Sequence, residues 1–308
     1  MTKLQEYIKC GLRVVKGVFR IRTPRHRIAR NGNPFTEMQI EDMSCKLPAY
    51  LWVPNNVTCH SLGDYHCVEV SGQIRWRRDG PVLDLSQVQP SETDPDDAVR
   101  LIPESICPIP WLLSCLEACI SHLTHPALRK FALNVLANDS IAFPYVSAPA
   151  SLKHHHNYPG GLLAHSIECY QLVKKHHEFS RNDFELGLVA VLFHDVGKIL
   201  TITHDMRRTS LGYDLDHDKL TLEVLSPYLR QLDIDWPDGA RRLRYLLTWK
   251  KGQKIPKYDM ADLVSCCDRI SAGRLIQSRC SSNGEVERMK ITGAFFTCTG
   301  NYFQTFRK

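Results

Sequence analysis

Pro90, Pro95, Pro103, Pro108 and Pro110 fall in a stretch otherwise rich in polar residues such as Ser91-Glu92-Thr93-Asp94 and Asp96-Asp97, and the apolar pattern of the chain changes period across it. Proline lacks the N–H that a helix needs, and polar residues supply no core, so the stretch reads as a linker over residues 91–110. On its N-terminal side, β-branched and aromatic runs such as Val14-Val15-Lys16-Gly17-Val18-Phe19-Arg20-Ile21 and Tyr65-His66-Cys67-Val68-Glu69-Val70 are broken by Gly, Pro and Asn. This predicts a short-stranded β domain over residues 1–90. Asn31-Gly32-Asn33-Pro34 predicts a hairpin turn between two such runs. On the C-terminal side, Leu112, Leu116, Cys119 and Ile120, and again Leu186, Val189, Leu192 and Phe193, recur at helical spacing, which predicts an all-helical domain over residues 111–308. The expected class is a two-domain α+β protein. Pro159-Gly160-Gly161 leads into one helix, and Asn182-Asp183 is the expected N-cap of the next, which runs to Gly197.

No apolar stretch approaches the roughly 18 residues of a membrane helix. Met1-Thr2-Lys3-Leu4-Gln5-Glu6 holds no basic region followed by an apolar run, so the chain is expected to be soluble and cytoplasmic. The 12 cysteines are scattered through apolar segments such as Leu113-Ser114-Cys115-Leu116, with no CxxC pair, and read as reduced core residues rather than a disulfide or zinc scaffold. The net charge of +6 allows a nucleic-acid partner without requiring one. Its placement says more, because Arg13, Lys16, Arg20, Arg22, Arg25, Arg27 and Arg30 follow one another with no acidic residue between them.

His194-Asp195 ends the apolar segment Leu188-Val189-Ala190-Val191-Leu192-Phe193 and is followed by Val196-Gly197-Lys198. A polar pair at the end of a buried helix needs a partner, and a divalent ion is the strongest candidate; Gly197 would let the chain turn away beside it. His165 on the preceding helix is a third candidate ligand, and Asp262 or Asp268 in the last apolar helical segment a fourth. The bland alternative is a satisfied network of His and Asp without metal. His60, His122, His125, His176, His177 and His204 are read as structural or surface residues.

A His, then the His194-Asp195-Val196-Gly197-Lys198 run, then a distant Asp resembles the signature of the HD superfamily of metal-dependent phosphohydrolases. His155-His156-Asn157-Tyr158-Pro159-Gly160-Gly161-Leu162-Leu163-Ala164-His165 is similar, more narrowly, to a segment of the YhaM-type bacterial 3′-to-5′ exoribonucleases. The segment from Val18 to Trp52 resembles the first strands of that family's N-terminal OB-fold. The resemblance implies an OB-fold β-barrel followed by an all-α HD domain, a divalent ion (Mn²⁺, Mg²⁺ or Fe²⁺), exonuclease activity on single-stranded RNA or DNA, and assembly into homo-oligomers. It also implies the metal ligands His165, His194, Asp195 and Asp268, preferring Asp268 to Asp262, with His217 as an added ligand or phosphate contact. In Leu246-Leu247-Thr248-Trp249-Lys250-Lys251 the chain departs from the family, which carries histidines there, and a second metal is in doubt.

An ion held by His and Asp acidifies water and polarises a phosphoryl oxygen, so the expected reaction is phosphoester hydrolysis. Around Asp195, the expected roles are charge neutralisation for Lys198 and phosphate binding or leaving-oxygen protonation for His155 or His156. In the β domain, Arg20, Arg22, Arg25, Arg27 and Arg30 are the expected phosphate contacts, with Phe35 and Trp52 among the aromatic candidates for base stacking. Three other readings stand beside this one: an HD phosphohydrolase of nucleotides or small phosphate esters, a TraI/MobH-like DNA-processing protein of a mobile element, and a non-catalytic single-strand binding protein. The aromatic segment Ile291 to Phe306 is expected to dock on the helical domain or to bind a partner.

Overall fold

The computed structural model describes residues 2–52, 63–176, 178–249 and 255–280. The Ile291 to Phe306 segment, and Lys250 and Lys251, lie outside the described residues. A short helix, α1 (Leu4–Lys9), precedes five strands: β1 (Val14–Ile28), β2 (Pro34–Glu41), β3 (Lys46–Leu51), β4 (Cys67–Arg77) and β5 (Gly80–Pro90). They close into a barrel in the order β1-β2-β3-β5-β4, antiparallel throughout except for the β3–β5 pair. That arrangement is consistent with an OB-fold.

Alternation along the strands fills the barrel. Phe19 and Ile21, Met38 and Ile40, Ala49 and Leu51, and Val68 and Val70 point inward and pack with Leu4 of α1. Gly32, at φ +82, makes the turn between β1 and β2 at the place the sequence predicts.

The register of β1 against β2 shifts between Arg22 and Arg25, beside Thr23 at φ 49. This bulge resets the alternation. Arg22 pairs with Gln39, Arg25 with Glu37 and Arg27 with Phe35, all on the outer face, although simple alternation would send Arg22 to the side opposite Arg25 and Arg27.

Residues 91–110 are not the solvated linker their composition suggests. Ala98, Val99, Ile102 and Cys107 join the core of the helical region, and Arg100 is buried with its Nε on Asp97 Oδ1 at 2.8 Å. Prolines here set short turns, and the few apolar residues between them all face inward.

Among the described residues ten α-helices follow: α2 (Trp111–His122), α3 (Pro126–Leu136), α4 (Asp139–Ser147), α5 (Gly161–Val173), α6 (Arg181–Phe193), α7 (Lys198–Thr201), α8 (Ser210–Asp214), α9 (His217–Asp235), α10 (Pro237–Thr248) and α11 (Asp259–Cys280). Ser180, not Asn182 or Asp183, caps α6, its side chain accepting from the Asp183 N–H. The described cysteines are free, most of them buried in the core, with Cys10 exposed. Among the described residues, no helix is long and apolar enough to cross a membrane.

Arg20 ties barrel to helices. It is 3% exposed, far from the solvent-facing role its neighbours suggest. Its guanidinium meets Asp139 at the start of α4 through two bonds of 2.6 and 2.8 Å, and also donates to the carbonyls of Leu101 at 3.0 Å and Tyr65 at 2.8 Å. Arg20→Ala is expected to lower stability by about 2–4 kcal/mol, because it strands the carbonyls and carboxylate. Arg25→Ala, exposed on the same strand, should change it by less than about 0.5 kcal/mol. Urea unfolding of both variants checks this.

Glu185 of α6 is buried and holds the entry to α3, accepting from the backbone N–H of Thr124 at 3.0 Å and of His125 at 2.8 Å. Burial pushes its carboxyl up. The Thr124 hydroxyl, the His125 N–H, Arg181 and the Thr124 N–H together outweigh burial and hold it below the usual glutamate range. A carboxyl depressed in the folded state contributes stability above its unfolded pKa and loses it as pH falls through the folded one. Glu185→Gln is therefore expected to cost about 1–3 kcal/mol at neutral pH. The difference from wild type should shrink on acidification, measured by unfolding at a series of pH values.

Candidate metal centre

The centre lies where α5, α6 and α11 meet. Gly160 enters α5 at φ +80, a conformation open to glycine. A Cβ on Gly161 would sit 2.1 Å from the His156 carbonyl oxygen, so the glycine pair lets the His155-His156 segment fold back against the start of α5. His165, one turn further along, is fully buried.

α6 ends at Phe193, and His194 is its C-cap. The His194 Nδ1–H points at the Val191 carbonyl at 3.0 Å, one of the acceptors left free at a helix end, which leaves Nε2 as the nitrogen directed inward. Gly197 serves a different purpose from the turn the sequence suggests, for its φ is an ordinary −59. A Cβ there would lie 2.2 Å from the His217 carbonyl oxygen and 2.7 Å from the Thr221 nitrogen, so glycine allows α9 to pack directly on the His194-Asp195 turn. Thr221 secures that contact, its hydroxyl donating to the His194 carbonyl at 2.9 Å.

Four donor atoms converge. His165 Nε2 lies 3.2 Å from His194 Nε2, 3.2 Å from Asp268 Oδ1 and 3.4 Å from Asp195 Oδ2. His194 Nε2 lies 3.6 Å from both carboxylates. Donors about 2.1 Å from a common ion stand about 3.0–3.4 Å apart in octahedral or tetrahedral geometry, close to these separations, and His165, His194 and Asp268 fall with Cys169 in one group of potential ligand atoms within 4.8 Å of one another. Asp262 takes no part in the cluster, and Asp268 does.

Charge follows the same pattern. Burial pushes the Asp195 carboxyl up, but Lys198, His194, His217 and His165 hold it well below the usual range. Asp268 is likewise held low against burial by the two imidazoles. Burial pushes His194 down, yet the two aspartates raise it to about 9, whereas in His165 burial prevails and lowers it.

Around the four donors the expected residues separate. Lys198 is buried with Nζ 2.5 Å from Asp195 Oδ2, and His217 Nε2 is 3.2 Å from Asp195 Oδ1. His155 keeps a buried Nε2 without a hydrogen-bond partner, and burial together with His165 and Lys198 lowers it to about 4. His156 is not free for a phosphate: its Nδ1 meets the Tyr158 hydroxyl at 2.8 Å and its Nε2 meets Glu168 at 3.1 Å. Sequence reasoning missed Glu168, Ser271 and Cys169. Glu168 and Ser271 each follow a candidate ligand, His165 and Asp268, by three residues, the helical spacing that shares a face. The Cys169 thiol lies 3.8 Å from His165 Nε2, and burial pushes it well above the usual thiol range.

On the barrel, Phe35 and Trp52 stack with ring centroids 4.8 Å apart, and Trp52 is 41% exposed. The Arg77 guanidinium covers Tyr50 at 4.6 Å. Arg25, Arg27, Gln39, Pro48 and Tyr50 help line one groove; Arg27 also pairs with Glu37 at 2.6 Å, Arg22 lies over Tyr65, and Arg30 is exposed. Arg20 alone of the expected arginines is withdrawn from solvent.

A closed five-stranded barrel followed by helices that gather two histidines and two aspartates is the class these features define. No family model matches the chain. It is similar to curated proteins named 3′-5′ exoribonuclease YhaM: 23% identical over 272 residues to that of Bacillus velezensis, covering 85% of each chain. The identity is 24% over 263 residues with that of Bacillus licheniformis, 82% of each, and 22% over 222 residues with that of Listeria monocytogenes, 67% of each. The chain is a YhaM-like protein.

Ion binding at the cluster is expected to stabilise the fold. Mn²⁺ at 100 times its dissociation constant should add about 2.7 kcal/mol, read as a rise in melting temperature. His194→Ala and Asp268→Ala should lose that rise and Asp262→Ala should keep it. An equal rise in all three would place the ion elsewhere.

Proposed function

We propose that this chain is a metal-dependent phosphodiesterase that shortens single-stranded nucleic acid from its 3′ end, with RNA as its substrate class. The observation that carries the reading is the convergence of His165 Nε2, His194 Nε2, Asp195 Oδ2 and Asp268 Oδ1 beside the Lys198 ammonium. The relatives' name, 3′-5′ exoribonuclease, supports both the direction and the sugar.

His165, His194, Asp195 and Asp268 would hold the ion, with two imidazoles favouring a transition ion such as Mn²⁺ or Fe²⁺ over Mg²⁺. Once bound there, such an ion supplies Lewis-acid polarisation of a phosphoryl oxygen and acidifies water. Lys198, buried at the edge of the cluster, is the cation at hand for charge that develops on the phosphoryl group. His155, neutral near pH 7, offers a nitrogen that can accept or donate a hydrogen bond, but it carries no extra proton for a leaving oxygen. His217, half-buried on the other oxygen of Asp195, is placed to meet a phosphate.

The barrel would act as an OB-fold that holds the strand. Stacking of a base on Phe35 or Trp52 is worth about 1–3 kcal/mol, and Arg25, Arg27 and Arg30 supply charge for the backbone. A free nucleotide needs no such surface, which favours a polymer over the nucleotide reading.

The test is a time course on 5′-end-labelled single-stranded RNA, with DNA in parallel, in Mn²⁺ or chelator. A ladder of products shortened from the 3′ end, absent with chelator and in Asp195→Ala, is expected; intact strands in every condition would overturn the reading.

A further inference from the structure

Behind the cluster runs a chain of hydrogen bonds that no part of the proposed chemistry uses. The Ser271 Oγ lies 2.7 Å from Glu168 Oε2 and 2.9 Å from His165 Nδ1. His156 Nε2 lies 3.1 Å from the same Glu168 oxygen, and the Tyr158 hydroxyl lies 2.8 Å from His156 Nδ1. Ser271 and His165 are fully buried, so bulk water does not compete for these groups.

The protons in this chain can be ordered in one consistent way. A carboxylate only accepts, so Ser271 gives its single proton to Glu168 and His156 gives its Nε2–H to the same oxygen. Tyr158 then donates to His156 Nδ1. Ser271 has lone pairs left for His165, which makes His165 Nδ1 the donor and leaves Nε2 with a bare lone pair. The reverse order would set the Ser271 and Glu168 oxygens 2.7 Å apart with no proton between them.

We propose that Glu168, Ser271 and His156 form a relay that fixes His165 in the tautomer whose Nε2 lone pair faces the ion, making Glu168 and Ser271 positioning residues of the metal centre. The inference rests on the metal-centre reading above. Two of the helices that bring candidate ligands also supply the relay: Glu168 follows His165 by three residues on α5, and Ser271 follows Asp268 by three on α11. His156 holds a left-handed backbone at φ 47, a conformation that persists where surroundings over-determine it. Tyr158, Glu168 and the close contact of its carbonyl with Gly161 do so here. Partners of this kind set ring orientation and raise ligand basicity, and their loss weakens metal binding by about 10- to 100-fold.

The experiment uses the full chain, stripped of metal and titrated with Mn²⁺ by calorimetry. Ser271→Ala and Glu168→Gln should bind Mn²⁺ about 10- to 100-fold more weakly, with metal-free melting temperatures close to wild type. Ser271→Thr, which keeps the hydroxyl, should recover most of the affinity, and Ser166→Ala, equally buried on α5 but outside the relay, should bind as wild type does. Unchanged affinity in folded Ser271→Ala, while wild type binds, overturns the relay and leaves the centre standing. Failure of wild type to bind Mn²⁺ overturns both. If Ser271→Ala does not fold, nitrogen NMR of His165 in metal-free wild type decides: a protonated Nδ1 with a bare Nε2 supports the relay, and the opposite tautomer overturns it.

Discussion

The His165 and His194 imidazoles stand 3.2 Å apart, with carboxylate oxygens of Asp195 and Asp268 each 3.2–3.6 Å from them, an arrangement that could not stand on packing alone. Buried carboxylates of like charge repel, and each loses its hydration, so the surroundings must answer with positive charge. Lys198 answers on one side of Asp195 and His217 flanks its other oxygen. Much of the architecture around the centre follows from this need. α9 must come close enough to deliver His217 to Asp195, and α11 must run past α5 so that Asp268 and Ser271 reach His165 from one face.

Close approach of that sort explains two of the motif's glycines better than turn geometry does. Gly161 and Gly197 both have a neighbouring carbonyl where a side chain would begin, and the neighbours are His156 and His217. Only Gly160 is required for its own dihedral angle. The sequence motif is thus less a list of chemical groups than a record of which backbones must touch.

What was legible in the sequence divides along the same physical lines. Runs of β-branched and aromatic residues and the Asn31-Gly32 turn disclosed the barrel strands, because each depends on residues close together in the chain. The four candidate ligands could be named from spacing and resemblance, and the structure brings them to one place. Interactions between distant residues left no local trace. Arg20 looks identical in sequence to Arg22 and Arg25, and only the distant groups that pack over it, among them Asp139 on α4 and the Leu101 carbonyl, withdraw it from solvent. His156 looks like a partner of His155 until Glu168 and Tyr158 take both its nitrogens. The bulge at Thr23 could not be read from alternation, since a bulge is a break in it. The proline-rich stretch misled for a related reason: composition counts apolar residues, but whether the few present all face one core depends on the turns that prolines set.

The Arg20 contact also joins the two halves of the molecule mechanically. β1 carries Arg20, Arg22, Arg25 and Arg27 on the barrel's outer face, where the helices cover Arg20 and Asp139 at the start of α4 meets it. Two turns along the same helix, the Tyr145 hydroxyl donates to the Leu192 carbonyl at 2.6 Å, in the last turn of α6 just before His194. A half-buried ion pair and a buried hydrogen bond, separated by one short helix, therefore connect the strand bearing the basic face to the turn bearing the candidate ligands. Buried polar contacts are lost at high cost, so they restrict sliding between the parts more than apolar packing of equal area would. The placement of the barrel relative to the cluster is then set by the fold, rather than by a flexible tether between two independent units.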